Sequence, residues 1–353
     1  SFLVNYLRTV YKSNKRLSSI STIFIIHNLY YQGMFDHRFI SQMDFDDGQS
    51  LLPPFFDQRF LKINGMKRGI MYSDMIVTVS PTYAKEITTK DYGELLDDLL
   101  KERRTKLYGI LNGIDYSDFN PKTDNRLIKN FTESTLDNRI ENKLELQNRF
   151  GLKKDKNVPV VGIVSRLVEQ KGFDLLPAVL EPLLKELVFQ LVVVGSGETK
   201  YMGYFKDLAD RFPQQVAVHL NFDIVLPRLV FGGADMILVP SKFEPCGLTQ
   251  MEAMHYGAIP IVRRTGGLAD SVVDFDGSKN VGNGFSFVDF NSMSLTIVIA
   301  RAIENYKNSS VWREIQKRAM NANFSWDASA EEYSKIIEEA IKFRGQKLLD
   351  SRE

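Results

Sequence analysis

Two short stretches combine charge with glycine just after an apolar run, which suits anion chemistry. Ser241-Lys242-Phe243-Glu244-Pro245-Cys246-Gly247-Leu248-Thr249-Gln250 follows the apolar run 235–240. This order predicts Glu244 at the rim of a sheet, with Pro245 stiffening the backbone behind it. Gly247, Leu248 and Thr249 would open a helix whose first N–H groups point outward, a setting that suits a phosphate. A carboxylate beside an anion site can accept hydrogen bonds from sugar hydroxyls. The plainer reading of Glu244 is a capping or solvated loop residue. The second stretch carries Arg166, Lys171 and Gly172 after the apolar run 158–165. Arginine offers a planar fork and lysine a point charge, so the two could clamp a diphosphate. They would also stabilise the charge that develops if the diphosphate leaves. Two surface cations in a loop are the commoner case.

Three further stretches carry weaker signals. Thr265-Gly266-Gly267-Leu268 is either a second anion-approach loop or a tight turn. Gly195-Ser196-Gly197-Glu198 lacks the third glycine of the dinucleotide fingerprint. His27-Asn28 closes the run 22–27, with Tyr30, Tyr31, Gln32 and Gly33 after it. A histidine at a strand's carboxyl end can donate to a sugar hydroxyl or a developing charge. It can equally be a satisfied core residue. Asp44-Phe45-Asp46 and Asp274-Phe275-Asp276 are acidic pairs of a kind that holds a divalent cation on a nucleotide. Such short patterns recur by chance, and no metal site is expected. His27, His37, His219 and His255 show no metal-ligand spacing either.

The elements that must position these loops follow from hydrophobic patterning. Runs at 22–27, 75–80, 158–165, 190–195, 216–220, 235–240 and 259–263 are β-branched and apolar on both faces. That is the pattern of parallel strands buried on both faces. Helical patterns lie near 173–187, 199–212, 247–256 and 266–273. Alternating strands and helices predict an α/β fold with doubly wound parallel sheets. Ligands then bind at the carboxyl ends of strands, where all these loops sit. A polar, irregular stretch at 113–155 predicts a domain break. The tail 328–343 reads as an amphipathic helix, with Tyr333, Ile336, Ile337, Ala340 and Ile341 on one face.

Composition sets the outer bounds. The chain has 353 residues, 44% hydrophobic and 25% charged, which are globular proportions. Its 45 Lys and Arg against 44 Asp and Glu give a net charge of +1, which argues against nucleic acid as a partner. Cys246 is the only cysteine, so no intramolecular disulfide can form. No apolar run approaches the roughly 18–20 residues of a membrane span. No secretory signal is visible, and residue 1 is Ser in an apolar context.

Taken together, the loops resemble those of bacterial glycogen synthases and plant starch synthases. Ser165-Arg166-Leu167-Val168-Glu169-Gln170-Lys171-Gly172-Phe173-Asp174 is similar to that family's SRL-x-x-QKG-x-D signature. Phe243 to Gln250 resembles its FEPCGL-x-Q motif, and Ile26-His27-Asn28 with Tyr31-Gln32-Gly33 its IHN-x-x-YQG. Asn112-Gly113-Ile114-Asp115, Thr265 to Val272 and Phe324-Ser325-Trp326 match in order and spacing.

The resemblance implies a GT-B fold, with two Rossmann-like domains facing a cleft. It implies a truncated first domain at 1–112, a nucleotide-sugar domain at 113–327 and a tail helix at 328–353 returning to the first. It implies retaining transfer of glucose from ADP-glucose to the non-reducing end of an α-1,4-glucan. On this reading Arg166 and Lys171 bind the diphosphate, Glu244 contacts the transferred glucose, and His27 hydrogen-bonds it. Substrate contacts are implied for Asn28, Asn112, Phe222, Cys246, Gly247, Leu248, Thr249, Thr265 and Gly266. No metal and no cofactor are implied, and no nucleic-acid or membrane partner. The compartment would be the bacterial cytoplasm, or a plastid in a photosynthetic eukaryote.

The chain also departs from the family pattern. The KTGGL and D-W-H segments are not present in it, which implies that roughly the first quarter of a family member is missing. At 221–228 the family has an aromatic, an acid and a His-Arg pair. Here Phe222 keeps an aromatic that would stack on adenine, while Ile224 and Pro227 replace polar residues. Two rivals follow. One is an inactive remnant that only binds nucleotide sugar or glucan. The other is a GT-B transferase with a different donor.

Overall fold

Short β-branched segments alternate in the direction of their side chains, and the larger sheet is covered on both faces as a result. The computed structural model describes residues 1–36 and 62–350. They fall into two units, Ser1–Asn112 with Asp327–Glu353, and Gly113–Trp326.

The first unit holds strands β1 (Ile23–Ile26), β2 (Met34–Asp36), β3 (Lys62–Asn64), β4 (Met75–Thr78) and β5 (Leu107–Gly109). β1, β4 and β5 form a parallel sheet in that order, and β2 pairs antiparallel with β3. The helix Gly65–Tyr72 begins where the Asn64 side chain accepts from the Lys67 N–H. Ser80 caps the helix Pro81–Glu86 in the same way, with Pro81 in the first turn, where its missing N–H costs nothing.

The tail helix runs Trp326–Asp350 and packs Ile336 and Ala340 against Met75, Val77 and Ile110. Tyr333 and Phe343 flank that contact. Ile337 and Ile341 were expected on this face, but they are 47% and 57% exposed. The buried stripe steps by three and four residues, which carries 337 and 341 off its edge.

The second unit holds β6 (Val160–Val164), β7 (Gln190–Val194), β8 (Val216–His219), β9 (Met236–Val239), β10 (Ile259–Arg263) and β11 (Phe285–Phe287). They form one six-stranded sheet in the order β11-β10-β9-β6-β7-β8, every pairing parallel. Val161, Ile163, Leu191, Val193, Met236 and Leu238 enter one apolar cluster. Val160, Val192, Val194, Ile237 and Val239 enter the other. This alternation gives the sheet two cores. Helices Leu180–Glu186, Thr199–Arg211 and Ser292–Tyr306 serve the first, and Leu226–Gly233 serves the second.

The helix expected near 173–187 is broken. A 3-10 segment, Phe173–Ala178, contains Pro177 and precedes the α-helix Leu180–Glu186. Proline lacks the N–H that a continuous helix would need there. The Asp274-Phe275-Asp276 acids are already engaged. Asp274 accepts from Ser286 N–H and Arg301, and Asp276 accepts from the Ser278 hydroxyl and N–H. Asp44-Phe45-Asp46 and His37 lie outside the described residues. No His, Cys, Asp and Glu group among the described residues is arranged to hold a metal ion. No described helix is long and apolar enough to cross a membrane.

A buried ion pair fastens the start of the second sheet. Asp235 accepts from the Val160 N–H at 2.8 Å and from Lys143 Nζ at 2.7 Å. The two side chains are 4% and 9% exposed. Asp235→Ala would leave Lys143 charged and buried, so it should cost about 3–5 kcal/mol in urea unfolding. A loss below about 1 kcal/mol would show that the pair does not fasten the sheet.

Candidate active site

In the second sheet the strand order reverses between β6 and β9. A crevice opens outside the carboxyl ends of strands at such a switch point. The loops that leave β6 and β9 are the two that the sequence marks for anion chemistry. Lys171 Nζ donates to Glu244 Oε2 at 2.5 Å, and Ser241 Oγ donates to the same oxygen at 2.9 Å. The Lys171 side chain is 18% exposed and that of Glu244 is 7%. Glu244 sits in the loop after β9, at the rim of the sheet, and its carboxylate is buried there rather than solvated. Its burial is tolerable because a cation and a hydroxyl both meet it.

The backbone holds the two loops together. Lys242 N–H donates to Gln170 O at 2.9 Å, and Gln170 Nε2 donates to Phe243 O at 3.2 Å. Gly172 has φ +76°, and a Cβ there would lie 2.0 Å from Pro240 O. Gly266 has φ +44°, and its Cβ would lie 1.9 Å from Glu244 O. Only glycine fits these positions. Thr265 to Gly267 therefore wedge under the Glu244 loop, and Gly267 N–H donates to Glu244 O at 3.0 Å. The next turn is locked by Gln250, whose Nε2 donates to Gly247 O at 2.6 Å and to Ser271 Oγ at 2.9 Å. Cys246 is buried, Leu248 is 43% exposed, and its side chain makes no cap hydrogen bond to the helix Thr249–His255 that follows.

Arg166 is exposed, and its guanidinium has no hydrogen bond or ion pair among the described residues. Phe222 lies in the loop after β8, the strand at the far edge of the sheet, and is 84% exposed. Ile224 beside it is 73% exposed. Asp223 accepts from the N–H groups of Val225 and Leu226 at 2.7 and 2.8 Å. Arg228 turns inward and is spent on Asp118, Asp124 and Tyr256.

The remaining predicted residues belong to the first unit. His27 follows β1, is exposed, and has no side-chain partner among the described residues. Asn28 accepts from the Tyr30 N–H at 3.0 Å, so its side chain shapes the turn after β1. Asn112 is half-buried at the end of that unit.

Ser241 and Gln170 were not singled out from the sequence, yet they set the position of Glu244 and its loop. Both lie inside the two motif stretches, which is the only signal that marks them.

The chain is similar to known proteins in both sequence and fold. The family model described as the starch synthase catalytic domain matches residues 1–102, and the model for glycosyl transferases group 1 matches 145–319. A glycogen synthase from Thermosipho melanesiensis is 44% identical over 346 residues, covering 98% of this chain and 71% of that protein. A glycogen synthase from Fervidobacterium nodosum is 44% identical over 335 residues, covering 95% and 68%. The solved catalytic domain of starch synthase IV from Arabidopsis thaliana, bound to ADP and acarbose, is 34% identical with a TM-score of 0.86. It covers 97% of this chain and 71% of that one. A sucrose-phosphate synthase from Thermosynechococcus elongatus, 17% identical with a TM-score of 0.56, shares the fold.

A titratable carboxyl, that of Glu252, lies on the helix after the Glu244 loop. Burial pushes the Glu252 carboxyl up to about 7, with Arg228 opposing the shift and Asp118 adding to it. The folded chain therefore binds more protons than the unfolded one between the ordinary value of 4.5 and about 7. Its contribution to stability falls as pH rises through that window. Glu252→Gln should stabilise the protein by about 1–3 kcal/mol at pH 8 and by almost nothing at pH 4. Equal unfolding midpoints for variant and parent at pH 8 would contradict this.

Proposed function

Because the chain belongs to the glycogen and starch synthase family of glycosyltransferases, we propose that it transfers glucose from ADP-glucose to the non-reducing end of an α-1,4-glucan, with retention of configuration. The observation that carries this reading is the Lys171–Glu244 pair at the switch point, 2.5 Å long, with Arg166, unpaired among the described residues, on the loop after β6. A diphosphate leaving group needs positive charge that is fixed before the reaction, because such charge then costs no reorganisation. Lys171 is fixed by its partner. Arg166 is open to solvent and keeps its planar fork for phosphate oxygens.

In this mechanism the bond between glucose C1 and the diphosphate oxygen breaks. Lys171 and Arg166 stabilise the charge on the departing ADP. Glu244 contacts the glucose near C1, and its pairing with Lys171 couples sugar and diphosphate positions. His27 hydrogen-bonds the sugar. The acceptor's 4-hydroxyl attacks C1 on the face the leaving group vacates, and its proton passes to the departing phosphate. Backbone groups from Cys246 to Thr249, with Thr265 and Gly266, line the glucose and the distal phosphate. Asn28 and Asn112 complete the sugar contacts.

Phe222, exposed at the end of β8, stacks on the adenine. The ADP and acarbose bound to the Arabidopsis relative support both the donor and the glucan acceptor. The reaction requires no metal or cofactor in this reading. The bacterial relatives favour the bacterial cytoplasm over a plastid.

Incorporation of labelled glucose from ADP-glucose into glycogen tests the proposal. The chain should transfer label, and Lys171→Ala should lower kcat by about a hundredfold. Absence of any transfer by the folded parent would favour the binding-only rival. Stronger transfer from a donor other than a glucose nucleotide would favour the third reading.

A further inference from the structure

The second sheet has a cavity of about 630 Å³ at its amino-terminal pole, away from the loops just described. Val158 and Pro159 line it just before β6, Val188 just before β7, and Asp235 just before β9. Its volume lies within the range of small-molecule sites. The charge on its walls is unequal. Arg139, Lys143, Lys156, Lys307 and Arg313 face it, against the single acid Asp235.

These cations divide into two sets. Lys143 and Arg139 are 4% and 5% exposed and already engaged. Lys143 donates to Asp235, to Tyr306 Oη at 2.8 Å and to Lys156 O at 3.1 Å. Arg139 donates to Phe231 O at 3.0 Å and Ala234 O at 2.6 Å, with no acid of its own among the described residues. Two buried cations against one buried carboxylate leave a positive floor.

The rim set is available. Lys156 is exposed, and its ammonium has no acceptor among the described residues. Among the described residues Lys307 meets only Glu304, three residues earlier on the same surface, at 2.7 Å. Arg313 pairs with Asp137, whose side chain is 84% exposed. Such surface pairs contribute little and exchange readily for a doubly charged anion.

Part of the wall is apolar. Ile140 is 40% and Val188 73% exposed, beside Pro159 and the ring of Tyr306. A solvated cationic face has no use for such a wall, whereas a ligand with an apolar body and an anionic end uses both.

We propose that this cavity binds a small organic phosphate, its apolar part on Ile140, Val188 and Pro159 and its phosphate on Lys156, Lys307 and Arg313. The ligand would touch the segments that lead into β6 and β9, the strands whose far ends carry Lys171 and Glu244. The assignment is independent of the donor chemistry proposed above.

Isothermal titration of the full chain with phenyl phosphate, phenol and inorganic phosphate tests it. Phenyl phosphate should bind about tenfold tighter than either control. The double variant Lys156→Glu with Lys307→Glu, both at exposed positions, should weaken it about tenfold or more. Arg166→Ala, at the other pole, should leave it unchanged. Phenol binding as well as phenyl phosphate would overturn the proposal. So would a double variant that binds like the parent, or loss of binding in Arg166→Ala, which would place the ligand in the donor loops instead.

Discussion

The Lys171–Glu244 ion pair constrains everything around it. Taking two charges out of water is costly, and the cost is recovered only with good geometry and further hydrogen bonds. The 2.5 Å contact and the Ser241 hydroxyl supply these. The geometry in turn requires two loops from different strands to meet within bonding distance. That is possible because β6 and β9 are neighbours in the sheet although far apart in the chain. Gly172 and Gly266 remove the side chains that would push the loops apart. The fold thus delivers a cation and a carboxylate, already paired, to the end of the sheet where strand order reverses.

The same two strands are fastened at both ends by buried charge. Asp235 holds Lys143 and the Val160 N–H at the amino-terminal pole. Glu244 holds Lys171 at the carboxyl-terminal pole. Between them the strands are apolar on both faces and fill two separate cores. Apolar burial supplies bulk stability but little directional information. The Asp235–Val160 hydrogen bond and the Lys171–Glu244 pair add register, because each is satisfied in one alignment of β6 against β9. The cationic cavity grows from the same arrangement, since Lys143 and Arg139 are drawn in by Asp235 and by the carbonyls at the end of the helix Leu226–Gly233.

Much of this was legible in the sequence where a residue's role depends on its own neighbours. The strands β6 to β10 announced themselves because parallel strands covered on both faces read as unbroken apolar runs. β5 and β11 did not, being the three-residue runs Leu-Tyr-Gly and Phe-Ser-Phe, too short to show a period. Ile337 and Ile341 were misplaced because periodicity gives a stripe but not its centre, which the partner surface decides. At the site, Arg166, Lys171 and Glu244 stood out through residue type, glycine neighbours and motif. The burial of Glu244 did not, because it depends on contacts between loops more than seventy positions apart, Lys171 to Glu244 and Gln170 to Phe243. Ser241 carried no mark of its role for the same reason.

The central claim is that Lys171, held by Glu244, is the cation that receives the donor's diphosphate. Calorimetric titration with ADP, comparing the parent with Lys171→Met at matched urea midpoints, addresses it most directly. The account predicts that ADP binding weakens by about tenfold or more in the variant and loses part of its salt dependence. Affinity unchanged within about twofold would contradict it, and would leave the ion pair a structural fastening alone.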